Sequence, residues 1–275
     1  MIKIASLCPS NTELLDFMGL TSNLIAVDDN SDYPPAINKL ARLGPDLNID
    51  IDTLEALEPD LIVASLTVPG MEKNITRLSE RGLPYIILNP SSFENIGENI
   101  IKVGTAINNE TLAKNDYHHY QTLLEECRNE ALQIQEKTKV YWEWWPRPVF
   151  TPGGTNWLTE LSELVGAENV FADVPIDSVE TDWEDVRKRN PDYIFLNWVG
   201  VEKEKIKPEL LNKRPEWITM KALQENRVIV LGDAPFCRPS PRLLLGIKQV
   251  RSLLHPNVFS DYDEVNSERW LYGNA

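Results

Sequence analysis

The densest chemistry in the chain is Tyr141-Trp142-Glu143-Trp144-Trp145-Pro146-Arg147-Pro148. Three tryptophans within four residues exceed the packing need of one short strand. In an extended strand Trp142 and Trp144 share one face, while Tyr141, Glu143 and Trp145 share the other. Trp144 and Trp145 then stand at the strand's C-terminal end, where parallel α/β folds hold their ligands. Trp198, closing the apolar run Tyr193 to Asn197, is a second ring of this kind. The proline-stiffened loop Asp233 to Pro241 presents Phe236 and Arg238, and a guanidinium can grip a carboxylate or phosphate bidentately. Aromatic walls suit a large flat ligand, each good ring contact adding about 0.5–1.5 kcal/mol beyond area burial. A core position for each ring, and a surface salt bridge for Arg238, are the competing structural readings.

Other chemistries find little support. The chain has no GxxxxGK[ST] and no GxGxxG phosphate loop. His118 and His119 are adjacent and His255 is remote, so the histidines make no metal spacing. Cys8, Cys127 and Cys237 are widely separated and lack a CxxC, which favours reduced thiols over a disulfide framework or a zinc site. No resident cofactor or metal is expected. An enzyme would have to use Asp28, Asp29, Asp32 or Glu143 as acid or base, and a non-enzymatic binding protein is the preferred reading.

With 27 Lys+Arg against 42 Asp+Glu, the 275-residue chain carries a formal charge of −15. That repels phosphate and argues against nucleic acid or an anionic membrane surface as partner. It leaves room for a small-molecule ligand, or for a partner with a basic docking face; a monomer is expected. Met1 to Leu7 shows neither a basic n-region nor an apolar h-region, so a cytoplasmic location is expected as the sequence stands. An extracytoplasmic, membrane-associated location is the alternative if a leader has been removed.

The elements that must position these residues alternate strand and helix, the pattern of a parallel sheet. Ile2 to Leu7, Leu24 to Val27, Leu61 to Ala64 and Tyr85 to Leu88 read as strands. Ser10-Asn11-Thr12-Glu13 reads as a capping box for the helix that ends at Gly19. From Glu110 to about Lys137 apolar residues recur at helical spacing, predicting one stiff helix of roughly 25 residues, about 38 Å long. The pattern then restarts: a strand Val140 to Trp145, a helix Asn156 to Val165 ending at Gly166, and Pro191-Asp192 echoing Pro59-Asp60 before a strand. Two α/β lobes of related topology follow, an N-terminal lobe over 1–107, the linking helix over 108–137 and a C-terminal lobe over 138–275.

Several segments together resemble a known family. Ile4-Ala5-Ser6-Leu7-Cys8-Pro9-Ser10-Asn11-Thr12-Glu13-Leu14, Ser31-Asp32-Tyr33-Pro34-Pro35 and Leu54 to Val63 are similar to the cobalamin- and siderophore-binding proteins of ABC importers, the helical-backbone periplasmic binding proteins. Phe150-Thr151-Pro152-Gly153-Gly154, Gly166 to Phe171 and Pro239 to Leu243 continue the likeness to about His255. The resemblance implies two Rossmann-like lobes with parallel sheets, joined by one long backbone helix, with a ligand cleft between them. It implies cobalamin, a related corrinoid or a ferric siderophore as ligand, held by Pro9, Ser10, Tyr33, Trp144, Trp145, Trp198, Phe236 and Arg238. It also implies an ABC permease dimer as partner, docked through one acid per lobe, Asp52 and Glu184, although Asp52 stands where the family usually has Glu. A cytoplasmic relative that binds the ligand without a permease is the alternative. Heme is disfavoured because no histidine falls in a cleft loop.

Overall fold

The computed structural model describes residues 1–273, and the chain divides into two compact units, Met1–Thr122 and Leu123–Ala275. The first unit runs β1 (Ile4–Ser6), α1 (Pro9–Phe17), β2 (Leu24–Val27), β3 (Ala41–Arg42), α2 (Ile51–Ala56), β4 (Leu61–Ser65), α3 (Glu72–Glu80), β5 (Tyr85–Leu88) and α4 (Phe93–Ala106). Its strands form one parallel sheet in the order β3-β2-β1-β4-β5. Strands β1 and β4 are buried at every residue, which is why they read as unbroken apolar runs rather than as alternation. Ala5, Ile62, Leu54 and Leu78 join in one core cluster on this sheet.

Helix α1 does not begin as the capping box predicts. Cys8 is its N-cap, Pro9 its first residue, and no side chain caps it. Proline has no N–H to satisfy and its φ is already helical, so it takes the first position and puts Ser10 and Glu13 inside the helix. Helix α5 (Glu110–Ala131) runs across the boundary between the units. Its first turns lie against α4 at Gly104, where an added Cβ would stand 2.2 Å from the Cβ of Ala113. The helix ends at Ala131, short of Lys137, because Gln133 and Ile134 turn back onto Glu130 and Ala131. The apolar Ile134 packs under Gly166 instead of continuing the helical stripe.

In the second unit β6 (Thr138–Glu143), β7 (Trp145–Pro146), β8 (Val149–Pro152), α6 (Trp157–Leu164), β9 (Ala167–Asn169), β10 (Ser178–Thr181), α7 (Trp183–Arg189), β11 (Tyr193–Leu196), α8 (Lys221–Gln224), β12 (Val228–Val230), α9 (Leu243–Leu254) and α10 (Glu264–Tyr272) follow in order. A parallel sheet has the order β12-β11-β6-β9, and a small antiparallel sheet the order β10-β8-β7. The order β9-β6-β11-β12 repeats β2-β1-β4-β5. Local devices repeat as well. Asp60 accepts from the Lys3 amide at 2.7 Å and donates its own N–H to the Lys3 carbonyl at 2.9 Å. Asp192 does the same with Lys139, at 3.0 and 2.8 Å. Each Pro-Asp pair thus pins the entry of a central strand to the start of its neighbour. Gly19 and Gly166 follow α1 and α6 with φ of 67° and 68°, left-handed values that favour glycine.

The expected strand to Trp145 stops at Glu143. Trp144 instead donates its N–H to the Phe150 carbonyl at 2.9 Å, and the chain folds back through Pro146 and Pro148 as the small antiparallel sheet. Prolines in a run speak against a central strand, and here they mark an edge hairpin. Among the described residues no helix is long and apolar enough to cross a membrane.

Candidate functional site

At the C-terminal ends of β1 and β2 the first unit brings together two loops. Pro9 is half-buried at the start of α1, and Ser10 is buried with its Oγ 3.2 Å from Cys8 Sγ. Tyr33 is half-buried in the loop after β2. A chain of buried hydroxyls ties the loops: Thr12 Oγ1 lies 2.8 Å from both Ser6 Oγ and Ser31 Oγ, and the Ser31 hydroxyl donates to Asp28 Oδ1. Asp28 Oδ2 accepts from the Asn30 amide at 2.8 Å, while Arg42 donates to the Asp28 and Ser31 carbonyls at 2.9 and 2.6 Å.

Asp28 has no exposed surface. Burial pushes its carboxyl up to about 6, against the pull of the Ser31 and Asn30 hydrogen bonds, and Asp46 adds repulsion. The other groups facing it are the Cys8 thiol, itself raised to about 11 by burial, and the Arg42 guanidinium. A carboxyl raised in the folded state favours folding fully below its unfolded value near 4, and that contribution is lost as pH rises through about 6. A shift of this size corresponds to up to about 3 kcal/mol. Urea midpoints measured from pH 4 to 7 should therefore fall with pH in wild type relative to Asp28→Asn. A difference that stays constant with pH would remove Asp28 as the titrating group.

The second unit presents its aromatics at the ends of β6 and β11. Trp144 is half-buried, with its ring centroid 5.9 Å from that of Trp157. Trp145 is 42% exposed and donates its indole N–H to the Arg147 carbonyl at 3.1 Å. Trp198, half-buried, donates to Glu143 Oε1 at 3.1 Å. Trp142 is wholly buried between Phe195 and Phe236, at centroid distances of 4.6 and 5.7 Å. Phe236 has no exposed surface either, and its carbonyl accepts from Trp157 Nε1 at 2.9 Å. Its ring is committed to the core. Arg238 is buried but for its edge, 3.8 Å from Asp233.

Glu143, weighed above as an acid or base, is wholly buried and saturated with donors. Arg214 forks onto both oxygens at 2.5 and 2.7 Å, and Tyr141 Oη donates at 3.0 Å. Arg214 escapes a sequence reading, because it lies in an irregular stretch with only the following Pro215 and Trp217 to mark it. Its guanidinium rests on the Trp217 ring at 4.4 Å and faces Trp183 at 5.1 Å. Among the described residues no group of three or more His, Cys, Asp or Glu is placed to hold a metal.

The two docking candidates occupy matching places. Asp52 lies in the first turn of α2 behind the N-cap Asp50, and Glu184 in the first turn of α7 behind the N-cap Asp182. Both are exposed, and each already has an arginine: Arg81 meets Asp52 at 2.6 Å, and Arg187 forks onto Glu184 at 2.8 Å. A cavity of about 390 Å³ beside Glu184 is lined by Pro146, Pro148, Val149, Trp183 and Pro215. It shares no residue with the aromatic strand ends.

Residues 4–235 match a family model described as periplasmic binding protein. The chain belongs to the periplasmic binding protein family. The uncharacterized ABC transporter substrate-binding lipoprotein YvrC of Bacillus subtilis is 27% identical over 94% of this chain and 82% of its own. The vitamin B12-binding protein of Vibrio vulnificus is 29% identical, covering 90% of this chain and 88% of that protein. Among solved structures of periplasmic binding proteins, the vitamin B12-binding protein of Vibrio cholerae superposes with a TM-score of 0.75 at 25% identity, over 92% of this chain and 96% of its own. These relatives correct the expectation of a cytoplasmic location. One is a lipoprotein and one is periplasmic, which points to the extracytoplasmic side of the membrane.

Proposed function

We propose that this chain is the solute-binding component of an ABC-type importer, with cobalamin or a related corrinoid as its first ligand class and a ferric siderophore as its second. The observation that carries the reading is the strand-end face of the second unit, where Trp144, Trp145 and Trp198 follow the adjacent strands β6 and β11 and Arg238 follows β12. Such rings have little rotamer freedom to lose on binding, which suits a broad, rigid ligand. On the first unit the candidate ligand residues are Pro9, Ser10 and Tyr33, and on the second Phe236 supports the aromatic face from the core. The vitamin B12-binding relatives support the corrinoid.

No catalytic role is assigned. Glu143 already accepts four hydrogen bonds, and Asp28 is enclosed by hydroxyls and amides. A monomer is expected to dock through Asp52 and Glu184 to arginines of a permease dimer. Exposed ion pairs of the kind each acid now makes are weak and screened, so exchange for a partner's arginine is easy.

Titration with cyanocobalamin, followed by visible absorbance and tryptophan emission, should show saturable one-to-one binding with strong quenching. Binding of a ferric hydroxamate with no response to cyanocobalamin would move the assignment to the second class, and no response to either would overturn both. In proteoliposomes, Asp52→Lys with Glu184→Lys should abolish stimulation of the permease ATPase while leaving ligand affinity intact. Unchanged stimulation would discard the docking pair.

A further inference from the structure

We propose that the buried Glu143–Arg214 pair is a positioning device that sets the indole of Trp198 on the strand-end face, an inference that rests on the reading of that face as the ligand wall. The carboxylate of Glu143 ends β6 on the same side of the sheet as Tyr141, with no exposed surface. Oε2 accepts from Tyr141 Oη at 3.0 Å and Arg214 Nη1 at 2.5 Å; Oε1 accepts from Arg214 Nη2 at 2.7 Å and Trp198 Nε1 at 3.1 Å.

Three of the four donors are anchored in the core. Tyr141 is wholly buried and packs edge-on to Trp217 at 6.4 Å. Arg214 is held by the Trp217 and Trp183 faces, and the Trp217 indole itself donates to the Trp183 carbonyl at 2.9 Å. The position of the carboxylate is thus fixed before Trp198 arrives. Trp198 is the member of the cluster that reaches the surface. The chain leaves the sheet there through exposed Val199 and Gly200 into a long connection built of short 3₁₀ turns. The backbone around it is tied by Asn197 N to Glu143 O at 3.2 Å and Val199 N to Trp144 O at 3.1 Å. Those bonds place the Cα and the ring packs against the apolar cluster that holds Tyr141 and Trp217; the N–H bond with Glu143 is the directional contact that selects one rotation of the indole within that packing.

Stability alone does not account for a charge pair here. Two buried ions give up their hydration, and well-packed apolar side chains of equal volume hold a core as well or better. What an apolar pair cannot supply is a directional, charged acceptor for the indole N–H. An indole hung on such an acceptor is preorganised, so a flat ligand need not order it on binding.

The test uses indole ¹H–¹⁵N spectra of the full chain, with Trp198→Phe assigning the Trp198 signal. In wild type that proton should resonate downfield and exchange with water slowly. In Glu143→Leu/Arg214→Met it should move upfield and exchange faster, while the signals of Trp142 and Trp157 stay in place. Cyanocobalamin should bind the double variant about tenfold more weakly, and Trp198→Phe should abolish that difference between the paired backgrounds, the sign that the pair acts through Trp198. A purely structural pair would lower stability and leave affinity and the Trp198 signal alone, which would overturn the proposal. Equal losses with and without Trp198 would overturn it too. If the double variant does not fold, the wild-type spectrum decides: exchange as fast as that of exposed Trp145 overturns the proposal, and slow exchange supports it. Failure of wild type to bind cyanocobalamin would instead remove the corrinoid reading, and the indole signals would still decide the positioning of Trp198.

Discussion

Arg214→Ala should lower the stability of the protein by about 3–5 kcal/mol, because it leaves the Glu143 carboxylate charged, buried and stripped of two of its donors. The same change removes the cation from between the Trp217 and Trp183 rings. Arg214 also fastens the long connection between β11 and α8 to the end of β6, through its fork on Glu143. Glu143→Ala should cost a similar amount from the other side, by leaving a guanidinium that is 5% exposed without its counter-charge. Replacing both by Leu and Met should return the stability to within about 1–2 kcal/mol of wild type, since the penalty comes from the unpaired ion and not from loss of the pair. Guanidinium-chloride unfolding of the three variants measures this directly. A single variant within about 1 kcal/mol of wild type would mean that water enters and relieves the charge.

The second large effect separates two tryptophans three residues apart in the sequence. Trp142→Ala should destabilise by about 3–5 kcal/mol, the usual cost of emptying an aromatic core site, because its ring lies between Phe195 and Phe236 and its indole donates to Ser162 at 2.9 Å. Trp145→Ala should stay within about 0.5 kcal/mol of wild type in stability, since its ring is 42% exposed and its indole meets a nearby carbonyl. Its effect is expected in binding, where cyanocobalamin affinity should fall by about 1–3 kcal/mol. A thermal melt run beside a titration resolves the two. If Trp145→Ala melts much lower and binds normally, Trp145 leaves the ligand set.

Much of this architecture is written locally. Gly19 and Gly166 end their helices at φ near 68°, and the Pro-Asp pairs ahead of β4 and β11 make the same two bonds to Lys3 and Lys139. The alternation of Tyr141 and Glu143 against Trp142 survives as two faces of β6. It fails at Trp144, where the chain leaves the sheet for a proline-rich edge hairpin that period-two reading cannot foresee. The Ser10 capping box fails for a related reason: Pro9 already satisfies the conditions for starting the helix. Whether a ring is wall or core depends on what the rest of the chain brings to it. Phe236 is covered by Trp142 and by the close approach of Gly246, where an added Cβ would lie 2.9 Å from its ring. No neighbour in sequence announces either contact. Arg214 is 71 residues from its carboxylate, so the pair has no local signature. The location of the protein depends on targeting, which the folded residues do not carry, so it is the relatives that correct the cytoplasmic expectation.

Helix α5 has a further consequence for anyone who would make the protein in pieces. The boundary between the units falls after Thr122, inside the helix, and a cut there leaves 13 helical residues on one fragment and 9 on the other. Isolated helices below about 12–15 residues are marginal in water, so both stubs should fray and expose Tyr120, Leu123 and Leu124, which are buried in the intact chain. Fragments separated at this point should aggregate when expressed alone. A protease given the native protein should cleave the exposed stretch after Ala131, around Gln135 to Lys137, well before it opens the helix. Reporters and split-protein designs are therefore better inserted after α5 than at the boundary itself.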